Sequence, residues 1–189
     1  MNVLLCSVGR RPYLVGWFKD AQESTGSNGL VVAADADPFA PSQAFADAFE
    51  LAPLASDPGY ADWLAQTLKK HDIGLAVSVN DFELSAWGEL PETTEYAALL
   101  RLSPELQRVA EDKLEMYEVL SDAGVNVPTT WLLREVLEDP SLVADHPELV
   151  LKGRYGSASR GLRLTNPEQL QEDALAAHGE VTHPNGYPA

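Results

Sequence analysis

Apolar residues fall along the chain in short unbroken runs, separated by stretches in which they return every three or four positions. The runs Asn2–Ser7, Leu30–Ala34, Phe49–Ala52 and Ile73–Val79 predict strands. Leu30–Ala34 has no polar break at all, as expected for a parallel sheet covered on both faces. Pro12 suits the first turn of a helix that carries Leu14, Val15, Phe18 and Ala21 on one side, and Asn28-Gly29 closes that unit. A short helical piece is expected around Ser42–Ala48. Ser56 or Asp57 then caps a helix whose Tyr60, Trp63, Leu64, Thr67 and Leu68 keep the spacing of a core-facing stripe. Ala98–Leu102 predicts a fifth strand. Strands alternating with helices through short turns imply an α/β fold, a doubly wound, mostly parallel, Rossmann-like sheet over residues 1–102.

The pattern changes after residue 102, and residues 103–189 read as a second domain. Ser103-Pro104-Glu105 has the cap, proline and acidic first turn of a new helix. An unbroken helix places Leu106, Val109, Met116, Tyr117 and Leu120 on one face, with Lys113 on the same stripe. An inward ammonium without a partner is costly, so Lys113 either snorkels to water or meets an anion. Gly124 ends this helix, Val127 and Thr129–Leu133 predict a strand, and Arg134–His146 reads as helix or loop interrupted by prolines. Val150-Leu151 and Leu162–Leu164 predict a hairpin, and Asn166-Pro167 opens a helix to about His178. Gly179–Ala189 shows no periodicity and is expected to pack lightly.

The composition is that of a folded protein, but the charge is lopsided: 29 Asp and Glu against 13 Lys and Arg give a net charge of −16 over 189 residues. Such a field repels nucleic acid and anionic membranes, so neither is an expected partner. No window approaches the length of a membrane helix, and Met1–Ser7 lacks the marks of a signal peptide. The single cysteine, Cys6, lies in a predicted strand, which fits a buried thiol in a reducing cytoplasm. Four scattered histidines have no zinc-ligand spacing, and no Gly-x-Ser-x-Gly elbow occurs.

One stretch reverses the charge. Leu149–Pro167 has no carboxylate and four cations, Lys152, Arg154, Arg160 and Arg163. Between its two strands, Gly153–Gly161 holds three glycines with Ser157 and Ser159, so its backbone N–H groups can cradle phosphate while Lys152 supplies a point charge. A solvated hairpin is the alternative, and the stretch is not a Walker A box. In the first domain Gly9, Arg10, Arg11 and Asp35 fall at the carboxyl ends of the first two strands, where doubly wound folds present ligands. Asp35 and Arg10 either pair structurally or bind a substrate. Asp81 and Glu83 follow the fourth strand at the same edge, as substrate-binding or loop-capping acids. One glycine in the first turn is a poor match to a dinucleotide fingerprint, so a nicotinamide dehydrogenase using Gly9 and Asp35 ranks low.

Lys152 followed by Gly156-Ser157-Ala158-Ser159-Arg160-Gly161 resembles the strand, glycine loop and strand of the small lobe of ATP-grasp enzymes. Glu111-Asp112-Lys113 with Tyr117–Leu120, then Ala123–Thr130 with Gly124 and Pro128, is similar to the passage that precedes that hairpin. Ser7–Arg11 and Ala34–Pro38 resemble the opening of the carbamoyl-phosphate-synthase-like branch. Ala158 and Gly153 depart from residues that are often glycine and proline in relatives.

The resemblance implies a pre-ATP-grasp domain followed by an incomplete α+β small lobe. It also implies an ATP-dependent ligase that activates a small-molecule carboxylate as an acyl phosphate for attack by an amine or similar nucleophile. Lys113, Lys152 and the loop Gly156, Ser157, Ala158, Ser159, Arg160 and Gly161 would hold ATP. Gly9, Arg10, Arg11, Asp35, Asp81 and Glu83 would face the other substrate. Relatives continue into a larger lobe that supplies the Mg²⁺ ligands, so no metal ligand is expected here. The chain is expected to be an amino-terminal portion, inactive alone. The alternatives are a non-catalytic nucleotide- or metabolite-binding module, or one piece of a split enzyme completed by a complementary chain or a second copy.

Overall fold

The computed structural model describes residues 1–156 and 162–178. The chain divides into two compact units, Met1–Gln107 and Arg108–Ala189.

The first unit begins β1 (Asn2–Cys6), α1 (Pro12–Ser24), β2 (Val31–Asp35), a 3-10 turn at Pro41–Ala44, and β3 (Ala48–Leu51). It continues α2 (Tyr60–Lys70), β4 (Ile73–Ser78) and α3 (Asp81–Gly88). The four strands are parallel, in the order β3-β2-β1-β4, with Leu4 beside Val32 on one side and Ala76 on the other. Strand pleating sends neighbours to opposite faces. Leu4, Cys6, Val32 and Ala34 therefore pack with Tyr60, Leu64, Leu68 and Trp87 of α2 and α3. Val3, Leu5, Val31 and Ala33 pack with Val15, Leu14 and Phe18 of α1. Both faces of β1 and β2 are covered, which is why Leu30–Ala34 reads as an unbroken apolar run. The order reverses between β1 and β4, the switch point at whose carboxyl side such sheets hold ligands.

The predicted fifth strand is reduced to one parallel bridge, Ala76 with Leu99, made by Ala76 N–H to Ala98 O and Leu100 N–H to Ala76 O. Arg101 explains the departure. Its guanidinium donates to the carbonyls of Trp87 in the last turn of α3 and of Leu90 and Pro91 just after it, so the chain leaves the sheet edge and Leu100 is 60% exposed.

In the second unit α4 (Pro104–Glu111), whose first residues belong to the first unit, leads to α5 (Lys113–Asp122), α6 (Leu133–Glu138), β5 (Leu149–Leu151), β6 (Arg163–Thr165) and α7 (Leu170–His178). β5 and β6 form the antiparallel hairpin, Leu149 opposite Thr165, and Val136, Val143 and Leu170 make a small core with Trp131, Leu133, Leu149 and Leu151. α5 ends at Gly124 as expected: its φ is +75°, and the N–H groups of Gly124 and Val125 return to the carbonyls of Ser121 and Leu120. Two expectations fail. The strand over Thr129–Leu133 is absent, because the Glu135 carboxylate accepts from Leu132 N–H at 3.0 Å and turns that segment into the start of α6. The long helix through Lys113 is also absent. Asp112 breaks it in an extended conformation and caps α5 through the N–H groups of Leu114 and Glu115.

Leu64 is fully buried in the larger of the two sheet cores. Leu64→Ala is expected to lower unfolding stability by about 2–5 kcal/mol, read as a lower denaturant midpoint in chemical unfolding.

Candidate functional site

Each unit places a cluster of the sequence-predicted residues. In the first unit the β1–α1 turn is held by Asp35 at the end of the neighbouring strand β2. Its carboxylate accepts from Gly9 N–H at 2.7 Å and from Asp37 N–H at 3.0 Å, and Gly9 O accepts from Ser42 N–H. Glycine is needed here for approach rather than conformation. A Cβ at residue 9 would stand 2.6 Å from Asp35 Oδ2 and 3.2 Å from the Cβ of Ala40. Arg10 and Arg11 are exposed at the start of α1, and no Arg10–Asp35 ion pair forms among the described residues. Asp35 thus serves the turn with backbone donors and leaves both guanidinium groups to solvent.

Asp81 is exposed in the first turn of α3, whereas Glu83 is only 5% exposed. Tyr60 Oη donates to Glu83 Oε1 at 2.9 Å, Ser78 Oγ donates to Oε2 at 2.6 Å, and Trp87 Nε1 donates to Tyr60 Oη at 2.9 Å. Burial, with the charge of Glu83 beside it, pushes the Tyr60 hydroxyl well above its ordinary range. Burial also raises the Cys6 thiol, with Glu83 and Asp35 adding to the effect. The network ties α2, α3 and the end of β4 together. Sequence reading took Tyr60 as a plain core residue, since nothing local in the chain links positions 60, 78, 83 and 87.

In the second unit the centre is Asp112, 2% exposed. Arg154 Nε donates to Oδ1 at 2.7 Å and Oδ2 at 2.9 Å, Arg154 Nη2 lies 2.7 Å from Oδ2, and Tyr155 Oη donates to Oδ2 at 2.7 Å. The Arg154 guanidinium holds the Asp112 carboxyl well below the usual carboxylate range, and the bond to Asp112 raises the Tyr155 hydroxyl. Lys113, the first residue of α5, sends its N–H to Arg154 O at 3.1 Å and its Nζ to Gly156 O at 2.7 Å. The predicted phosphate ligand therefore does not lie on an apolar stripe; it points at the backbone just after β5, at the start of the segment between the two hairpin strands. Lys152 is exposed just after β5. Ser157, Ala158, Ser159, Arg160 and Gly161 lie outside the described residues. The Asp112 clamp was missed, although Asp112-Lys113-Leu114-Glu115 carries a legible helix-start signature; its pairing with residue 154 has no local signal. Among the described residues no group of three or more His, Cys, Asp or Glu is placed to hold a metal ion, and no helix is long and apolar enough to cross a membrane.

A doubly wound unit followed by a short hairpin unit is a fold found among solved structures, including the following three. N5-carboxyaminoimidazole synthetase from Staphylococcus aureus, complexed with ADP, matches with a TM-score of 0.62 and 18% identity over 94% of this chain and 44% of that one. L-amino acid ligase from Bacillus licheniformis gives 0.58 and 18% over 92% and 41%. The biotin carboxylase domain of 2-oxoglutarate carboxylase from Hydrogenobacter thermophilus, a dimer in complex with MgADP and bicarbonate, gives 0.57 and 18% over 95% and 41%. The chain spans less than half the length of each. The sequence belongs to the PylC-like, N-terminal domain family, whose model matches residues 3–98. No curated protein matches it.

Three measurements probe these clusters. Gly9→Ala is expected to lower the thermal midpoint by forcing Asp35 off the turn. Tyr60→Phe leaves Trp87 Nε1 and Glu83 Oε1 without their partner and should cost about 1–3 kcal/mol in denaturant unfolding. Because the folded-state pKa of Asp112 is depressed, its stabilisation is present above the unfolded value of about 3.9 and is lost as pH falls below it. Asp112→Asn should flatten that acid limb when unfolding is followed from pH 6 to pH 2.

Proposed function

We propose that the chain is the amino-terminal portion of an ATP-dependent ligase that activates a small-molecule carboxylate. The observation that carries this is the position of Lys113: it starts a helix, and its ammonium is directed at the carbonyl oxygens of Arg154 and Gly156, two to four residues beyond Lys152. Those are neutral acceptors, which phosphate oxygens can replace with a gain in charge complementarity. Family membership and the ADP- and MgADP-bound structural neighbours support the same reading.

On this reading Lys113 and Lys152 neutralise the nucleotide phosphates, and Gly156, with Ser157, Ala158, Ser159, Arg160 and Gly161, supplies backbone donors. Bound ATP would supply the phosphoryl group that turns the carboxylate into an acyl phosphate, open to attack by an amine or a similar nucleophile. Gly9, Arg10, Arg11 and Asp35 form the wall facing the acceptor substrate: Asp35 shapes the turn and the two arginines offer cations to its carboxylate. Asp81 is exposed at the same end of the sheet, while Glu83 acts from beneath as a support. Magnesium ligands would come from residues outside this chain, as the resemblance to ATP-grasp enzymes implies.

Lys113→Met and Lys152→Met, made singly in the longest natural protein carrying this sequence, should each weaken Mg-ATP binding by about 1.5–3 kcal/mol, roughly ten- to a hundredfold in Kd. Isothermal titration calorimetry reads the change. Unaltered affinity in both variants would overturn the proposal.

A further inference from the structure

Lys113 is held in part from outside its own helix. Its backbone N–H and its Nζ both end on carbonyls of the segment Arg154–Gly156, which lies beyond β5 and outside the strand ladder. That segment is held by Asp112. One buried carboxylate takes three side-chain donors from Arg154 and Tyr155 and two backbone donors from Leu114 and Glu115, joining positions more than forty residues apart in sequence. Arg154 also lies over the Tyr155 ring, its guanidinium carbon 5.8 Å from the centroid.

We propose that Asp112 is a positioning residue: through Arg154 and Tyr155 it fixes the carbonyls that receive Lys113, and so sets where the Lys113 ammonium stands. The consequence for nucleotide rests on the function proposed above; the positioning itself does not. Capping and positioning are separable, because asparagine caps a helix about as well as aspartate but cannot pair with a guanidinium as an anion. Asp112→Asn should therefore leave the start of α5 in place and release Arg154, whose side chain is already 42% exposed.

The first measurement needs no nucleotide. Trace acylation of amines, quantified by mass spectrometry with exposed Lys69 as internal reference, should modify Lys113 severalfold faster in Asp112→Asn than in the wild type, with Asp112→Glu intermediate. Should Asp112→Asn fail to fold by circular dichroism, Tyr155→Phe, which removes one donor and no charge, serves in its place. Equal labelling of Lys113 in the wild type and the folded variant overturns the proposal. The second measurement is a double-mutant cycle on Mg-ATP affinity. Asp112→Asn should weaken binding roughly tenfold, as loss of an orienting partner commonly does, and should weaken Lys113→Met little further. An undiminished loss in the Lys113→Met background also overturns it. If Lys113→Met and Lys152→Met bind ATP as the wild type does, the ligase reading fails, and the labelling result still decides the role of Asp112.

Discussion

Four parallel strands, the central two buried on both faces, leave the chain few places for polar groups, and the carboxyl ends of those strands take the most consequential ones. Leu4 and Cys6 face α2 and α3 while Val3 and Leu5 face α1, so the central strand β1 offers no side chain for chemistry. Ordinary hydrophobic burial holds this arrangement. It brings Gly9, Asp35, Ser78 and Glu83 to one edge, the edge where a doubly wound sheet meets ligands.

That edge divides its acids by burial. Asp35 accepts from backbone N–H groups and shapes a turn, whereas Glu83 is enclosed by two hydroxyls, one of them itself held by Trp87. A buried carboxylate supplied with hydrogen bonds from hydroxyl groups is tolerated because each oxygen has a donor. The same logic governs Asp112 in the second unit, with a guanidinium added. There the carboxylate is strongly favoured in its charged form, and the connection it makes is correspondingly specific in geometry.

Much of the fold was legible in the chain. Strand positions, the doubly wound class and the hairpin follow from apolar runs and glycine placement, since those signals are local and periodic. The misses share one cause. Arg101 draws a predicted strand off the sheet by satisfying carbonyls from an earlier helix, and Glu135 converts a β-prone stretch into a helix start. In both, a single polar side chain outweighed the propensity of its neighbours.

Of the candidate residues, the sequence by itself determined which were unusual: the only carboxylate-free basic stretch of the hairpin, a lysine behind Asp112, and a lone glycine after the first strand. It also determined the family, because the matching model spans residues 3–98. Only the tertiary structure decided that Lys113 begins a helix rather than riding its apolar face, that its ammonium meets the backbone at Gly156, and that Asp112 joins Arg154 and Tyr155. The reason is distance along the chain. Periodicity reports neighbours three or four residues apart, whereas a carboxylate paired across forty residues leaves no trace until the backbone has closed the gap.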